Sequence, residues 1–267
     1  MAKTIFITGS STGIGKETCL YFANKGWNVA ASMRNPTKAS KEFEHPNIHL
    51  IQCDVNNALE ISSALDNCIQ HFGGIDVLFN NAGYALVGAF EAMSDEQIRK
   101  QFDTNVFGVM NMTRAILPYF RKKKSGLIIN TSSMGGLITF PLYSVYHSTK
   151  WALEGFMESL QFELRPFNIQ IKNIEPGAIK TDFENALQFV SNEDYKDYAP
   201  RVHQNMLDTY KSAPGAAVVA KKVYEAANSS NYHLRYPVGG IAPLLVLLRR
   251  ILPGTWFRAI VRLATEK

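Results

Sequence analysis

The sequence predicts an α/β fold in which βαβ units surround a parallel sheet. Three observations predict it. Short β-branched runs alternate with longer runs of helical period, glycines punctuate the joins, and the composition supports a sizeable core. With 46% hydrophobic and 19% charged residues the chain is neither disordered nor of collagen or coiled-coil type. A length of 267 residues admits one α/β domain or two smaller ones.

Strands are predicted at Thr4 to Thr8, Asn28 to Met33, Ile48 to Gln52, Ile75 to Asn80, Leu127 to Thr131 and Ile169 to Glu175, each rich in Ile, Val, Leu or Phe. Helical period fills Gly13 to Lys25, Asn57 to Phe72, Asp95 to Lys123 (two helices run together) and Val145 to Leu164. Gly26 ends the first helix, and Gly73 with Gly74 ends the second. Residues 178–212 are aromatic and show little period, which reads as a long surface excursion of the kind that forms lids. A helix at Ala216 to Asn228 and a short strand near Leu234 to Tyr236 return to the pattern before a basic, apolar tail.

Thr8-Gly9-Ser10-Ser11-Thr12-Gly13-Ile14-Gly15 leaves the first strand and opens the first helix. Glycines there let the backbone turn tightly and approach a pyrophosphate at the helix N-terminus, with Ser11, Thr12 and Ile14 between them. A site for NAD would carry a carboxylate about 20 residues further on, to hold the ribose 2′-hydroxyl. From Thr18 to Lys41 there is no Asp or Glu, while Arg34, Lys38 and Lys41 follow the second strand. Arg34 can hold a 2′-phosphate through a bidentate contact, so NADP(H) is favoured over NAD(H). Asp54 and Val55 end the third strand, where the carboxylate can accept from an adenine amino group. Asn80-Asn81-Ala82-Gly83 ends the fourth, at the point where a crevice opens in a doubly wound sheet.

Tyr146 and Lys150 stand at i and i+4, on one helix face. An ammonium within ~4 to 6 Å lowers a phenol's pKa by ~1 to 3 units, which yields an acid–base usable near neutrality. Ser132 and Ser133 put a hydroxyl at the carboxyl edge, within reach of a substrate oxygen. Tyr143 is a rival phenol, but its i+4 partner is His147. Asn105 interrupts a helix-favouring stretch, and its amide is suited to hold a water linking Lys150 to solvent. Pro176-Gly177, then Ile179 and Thr181, bring backbone and a hydroxyl toward the nicotinamide end.

Taken in this order, the loop Thr8 to Gly15, Asn80 to Gly83, Asn105, Ser133, Tyr146 with Lys150, and Pro176-Gly177 resemble the short-chain dehydrogenase/reductase family over residues 3 to 240. The resemblance implies a three-layer, doubly wound Rossmann fold with a seven-stranded parallel sheet in a single domain. It also implies a catalytic tetrad of Asn105, Ser133, Tyr146 and Lys150, with Ser133 chosen over Ser132 by its spacing from the tyrosine. In that family Tyr146 would exchange the proton as hydride moves between nicotinamide and a carbonyl or secondary alcohol, Ser133 would orient the carbonyl, and Lys150 would also hold the ribose hydroxyls. Helices at Thr104 to Lys123 and Val145 to Leu164 would pair subunits in a dimer or tetramer. The tail is similar to a hydroxysteroid and retinol dehydrogenase-like branch, and the apolar crevice candidates Leu86, Val87, Phe140, Leu142, Tyr143 and Phe183 fit a lipophilic substrate. Two further readings stay open: an inactive NADP-binding regulatory protein, and a membrane-surface dehydrogenase of lipids, retinoids or steroids.

Other signals narrow the partners. Cys19, Cys53 and Cys68 form no CxxC or disulfide pattern, and the start Met1-Ala2-Lys3-Thr4 leaves no room for a cleavable leader, so the expected location is cytoplasmic. His45 and His49 have metal-ligand spacing, but Pro46 breaks the helix they would need, and no metal is expected. Arg121-Lys122-Lys123-Lys124 falls at a helix C-terminus, where cations meet the dipole, and no nucleic-acid module is present. The net charge is +5, and residues 241–267 hold five cations against the single anion Glu266. The domain therefore reads as residues 1–240 with a basic amphipathic extension, 241–267, able to touch a membrane surface.

Overall fold

The computed structural model describes residues 2–181 and 187–266. Its first half runs β1 (Thr4–Ile7), α1 (Gly13–Asn24), β2 (Asn28–Met33), β3 (Ile48–Gln52), α2 (Ala58–Phe72), β4 (Val77–Asn80) and β5 (Leu86–Gly88). Then come α3 (Asp95–Phe102), a π-helical turn (Asp103–Phe107), α4 (Gly108–Lys123), β6 (Gly126–Thr131), α5 (Ser144–Leu164) and β7 (Ile169–Pro176). The remainder is β8 (Gln188–Val190), α6 (Ala199–Lys211), α7 (Ala217–Asn228), β9 (Arg235–Val238), α8 (Ala242–Ile251) and α9 (Gly254–Thr265).

Seven parallel strands form one sheet in the order β3-β2-β1-β4-β6-β7-β9, the doubly wound arrangement expected from the sequence. The chain starts in the middle, winds outward through β2 and β3, and returns to wind the other way from β4. Phe6 stands beside both Ala30 and Leu78 in register. Phe6, Leu78 and Ile128 point to the layer of α2, α4 and α5. Their neighbours Ile5, Ile7, Phe79 and Ile129 point to α1 and α7. Burial on both faces is why these strands read as continuous apolar runs rather than alternating ones.

The stretch Asp95 to Lys123 is two helices, as expected, and a π turn joins them, in which Gly108 N–H bonds to the Asp103 carbonyl. One expectation is corrected. The excursion 178–212 is not irregular throughout: β8 pairs with β5, and α6 turns Val202 and Met206 inward. A stripe that narrow, interleaved with polar residues and begun at Pro200, hides its period. Among the described residues no helix is long and apolar enough to cross a membrane.

The sheet also buries charge. Lys172 is fully buried and donates to Ala226 O at 2.9 Å and Ser229 O at 2.6 Å, capping the C-terminus of α7. Glu175, also fully buried, lies 3.6 Å from Arg235 Nε, which pairs with Glu154 at 3.0 Å while Nη2 of the same arginine reaches Glu158 at 2.7 Å. Burial, reinforced by Glu154, pushes the Glu175 carboxyl up to about 8. An unfolded glutamate ionises near ~4.3. Between those values the unfolded state releases a proton that the folded state keeps, so this group destabilises the fold increasingly as pH rises. Glu175→Gln should raise Tm at pH 8 by ~2–4 °C per kcal/mol relieved and by much less at pH 5. Thermal unfolding at both pH values checks this; equal shifts would contradict it.

Candidate active site

A cleft of about 700 Å³ opens at the carboxyl ends of the strands, where β1 and β4 lie side by side and their following connections diverge. Its nucleotide end is shaped by three glycines. Gly9 has φ +64°, and a Cβ there would fall 2.7 Å from Ala82 Cα; one on Gly15 would fall 2.3 Å from Gly9 O. Gly13, at φ +56°, opens α1. No side chain caps α1 and no acid stands in its first turn, so its N-terminal N–H groups and positive dipole end stay available to an anion beside exposed Ser11 and Thr12. Asn81 locks the loop in place. Its amide donates to Thr8 O at 3.1 Å and Gly9 O at 3.0 Å, while its Oδ1 accepts from Thr131 Oγ1 at 3.0 Å.

Around this cradle the other predicted residues gather. Arg34 stands exposed on the rim with no ion pair among the described residues. Asp54 faces the cleft while its Oδ1 accepts from Asn56 N at 2.9 Å. Val55 and Ile14 add apolar lining, as do Ala82, Pro176 and Ile179, with Gly83 and Gly177 between. A dinucleotide fits the donor set: an anion cradle that any Cβ would fill, an apolar wall and a free guanidinium. Thr181 departs from expectation. It stands against Gly13, its Cβ 3.5 Å from where a Gly13 Cβ would lie, and so at the phosphate end. The cause is the chain's return over the loop, held by Lys180 N bonding Pro214 O at 2.9 Å.

Tyr146 and Lys150 lie on the first turns of α5, both buried. Ser133 hydrogen-bonds the Tyr146 phenol, and its Oγ also accepts from Gly135 N at 3.0 Å. Lys150 Nζ donates to Thr131 O at 2.8 Å and lies 5.8 Å from the centre of the Tyr146 ring. Burial brings the Lys150 ammonium down to about 8, against the opposing pull of Glu154. The same burial pushes the Tyr146 phenol up, with Ser133 opposing. This corrects the expectation of a lysine-lowered phenol: desolvation dominates, and the ammonium points to a carbonyl rather than to the phenol oxygen. Asn105 is tied into the fold. It lies in the π turn and donates both amide hydrogens, to Tyr84 O at 2.9 Å and Thr149 Oγ1 at 3.2 Å, so only its Oδ1 has capacity left for a water. Its Oδ1 accepts from Tyr84 N at 3.1 Å. The side chain fastens α5 to the segment after β4.

The substrate end of the cleft is lined by Phe140, Tyr143 and His147, and across from them by Leu187, Met206 and Tyr210. Val87 is fully buried in β5 behind this wall, Leu86 packs instead with Met93 and Val145, and Leu142, at φ +67°, packs on the Val87 cluster outside the cleft lining, its carbonyl taken by Gly88 N at 2.7 Å. Phe183 lies outside the described residues. Sequence reasoning missed His147, Met206, Tyr210 and Glu154. Burial pushes His147 down to about 4, so it stays neutral; its Nδ1 accepts from Phe140 N at 3.3 Å and its ring stacks on Tyr143 at 5.5 Å. Its place between Tyr146 and Lys150 was the available signal. Met206 and Tyr210 carried none, because α6 was read as irregular.

With this geometry in view, comparison with known proteins is specific. Residues 3–189 match the short chain dehydrogenase family model. An uncharacterized oxidoreductase of Schizosaccharomyces pombe is 36% identical over 233 residues, covering 86% of this chain and 98% of its own. A 3-ketodihydrosphingosine reductase of Bacteroides thetaiotaomicron is 38% identical over 199 residues, covering 73% and 72%. Among solved structures, a short-chain dehydrogenase from Streptomyces avermitilis superposes with a TM-score of 0.83 at 30% identity over 98% of both chains. ElxO with NADP bound superposes with a TM-score of 0.74 at 27% identity, covering 89% of this chain and 97% of its own. The chain belongs to the short-chain dehydrogenase family and is an oxidoreductase that works with a nicotinamide cofactor.

Proposed function

We propose that the protein is an NADP(H)-dependent reductase of lipophilic ketones, and the reverse dehydrogenase of the corresponding secondary alcohols, with Tyr146 as general acid–base. The observation that carries this reading is the buried Tyr146 phenol bonded to Ser133, with Lys150 one helical turn on and anchored to Thr131 O at 2.8 Å. When bound, the nicotinamide supplies hydride to the carbonyl carbon or accepts it from the alcohol. Ser133 donates to the carbonyl oxygen and orients it. Tyr146 gives its proton to the oxygen as negative charge develops there, and Lys150, held on Thr131 O, keeps a positive charge 5.8 Å from the ring of the tyrosinate left behind. A phenol held above its ordinary value by burial is protonated at neutral pH, the form that donates to a ketone oxygen. Asn105 and Thr149 keep α5 in position, through Asn105 Nδ2 to Thr149 Oγ1 at 3.2 Å and Thr149 Oγ1 to Tyr146 O at 2.7 Å.

NADP(H) rather than NAD(H) is supported by the unpaired Arg34 and the absence of an acid from Thr18 to Lys41. A lipophilic substrate is supported by the Phe140, Leu187 and Met206 wall and by the name of the Bacteroides relative, a 3-ketodihydrosphingosine reductase. Tyr146→Phe should lower NADPH-dependent ketone reduction ~10²–10⁴-fold while NADPH binding, read by fluorescence titration, stays near that of the parent. Unchanged turnover would overturn the assignment. Arg34→Ala should weaken NADPH binding about 10–100-fold, the worth of a charge-assisted contact, and leave NADH binding alone. Equal loss for both cofactors would contradict the phosphate role.

A further inference from the structure

α8 and α9 expose more apolar surface than any other helices described. On α8, Leu244, Leu247 and Ile251 are 54%, 54% and 65% exposed, at i, i+3 and i+7. On α9, Trp256, Ile260 and Leu263 are 65%, 42% and 63% exposed, at i, i+4 and i+7. Each set is a single stripe on its helix. The opposite faces are committed to the body through Ala242, Val246 and Phe257. A basic set belongs to the same helices: Arg258 and Arg262 make no salt bridge among the described residues, while Arg249 lies over the Phe257 ring at 5.7 Å and Arg250 lies near the buried Glu175 carboxyl. Two of them converge, since a Cβ on Gly254 would lie 3.3 Å from Arg258 Nη1 and 3.7 Å from Arg249 Nη1.

We propose that α8 and α9 form a docking surface for an anionic phospholipid bilayer, with Trp256 and the leucines seated at the acyl boundary and the arginines on lipid phosphates. Exposed aliphatics, an interfacial tryptophan and unpaired arginines on short amphipathic helices are the chemistry a lipid surface recognises. The alternative occupant, a second copy of the chain, is separated by the sedimentation arm of the test below. The surface is also joined to the cleft. Tyr198 Oη donates to Glu266 Oε1 at 3.2 Å, Arg201 Nη1 donates to Glu266 O at 2.6 Å, and Asn205 Nδ2 donates to Thr265 O at 3.1 Å. These bonds fasten the end of α9 to α6, the helix whose Met206 and Tyr210 wall the substrate end. Docking the tail would set that wall beside the bilayer, which shortens the path of a lipophilic substrate.

The test is flotation of the full chain with vesicles of phosphatidylcholine alone or mixed with phosphatidylglycerol, at low and high salt. It reads binding without turnover, so its outcome is separate from that of the reaction assigned above. The expected result is binding to the mixed vesicles that weakens with salt and is at least tenfold weaker on phosphatidylcholine alone. Arg258→Gln with Arg262→Gln should weaken it about fivefold per arginine. Trp256→Ser with Leu263→Ser should abolish it while cofactor binding, which reports an intact fold, is retained. No flotation with anionic vesicles at low salt would overturn the proposal. So would vesicle binding insensitive to both variants, or a Trp256→Ser/Leu263→Ser change that turns a dimer into a monomer in sedimentation velocity and leaves vesicle binding intact.

Discussion

The side-chain amide of Asn81 is the tie on which the site depends. It sits at the end of β4 and spans the gap where the sheet changes winding direction, holding Thr8 O and Gly9 O on one side and Thr131 Oγ1 on the other. Thr8 Oγ1 returns the contact by accepting from Asn81 N at 2.9 Å and Ala82 N at 3.1 Å. Thr131 passes it on, because its carbonyl anchors Lys150 Nζ. One run of hydrogen bonds thus links the glycine-rich loop, the floor of the cleft and α5. Each bond adds ~0.5–1.5 kcal/mol net, but in a buried setting the cost of leaving any partner unmade is larger. The loop glycines serve the same close approach, since a Cβ on Gly15 would fall 2.5 Å from Asn81 Nδ2.

A second polar layer lies beneath. Asn80, Asn130 and Asn173 occupy adjacent strands in register and form a buried ladder, Asn80 Nδ2 to Asn130 Oδ1 at 3.0 Å and Asn130 Nδ2 to Asn173 Oδ1 at 2.9 Å. Amides placed this way penalise any slip of β4, β6 or β7 past one another, because a shift of one residue would strand them in an apolar core. The catalytic edge of the sheet therefore has its register specified by polar groups as well as by shape. Asn105 completes this arrangement from the helical layer, where the π turn supplies the extra residue that aims its amide at Tyr84 and Thr149.

Much of this was legible in the sequence for definite physical reasons. Parallel strands buried on both faces must read as apolar runs, and β2 and β3 have the limits that their runs predict. A glycine-rich turn between a strand and a helix has few structural uses, and a tyrosine four residues before a lysine meets it on one helical face. Other features depended on spatial neighbours that lie far apart in the chain. The pairing of β5 with β8 joins residues about a hundred positions apart, and neither run exceeds three residues. Glu154, Glu175 and Arg235 form their ionic cluster only once α5, β7 and β9 are stacked. The acidity of Tyr146 was misjudged because i, i+4 spacing reports proximity and is silent on burial, and burial is the larger effect here.

The same physics that holds the cleft together also makes its chemistry readable. A buried phenol, a serine bonded to it and a lysine held on a backbone carbonyl stand together beside a cradle shaped for a dinucleotide, and the proposed proton transfer rests on that grouping. The most direct test is to supply NADPH deuterated at the transferable position of its nicotinamide together with a panel of lipophilic ketones, and to examine the alcohols formed by mass spectrometry. The account predicts one deuterium at the carbinol carbon of at least one product. Transfer to no member of the panel by a chain that binds NADPH would contradict it.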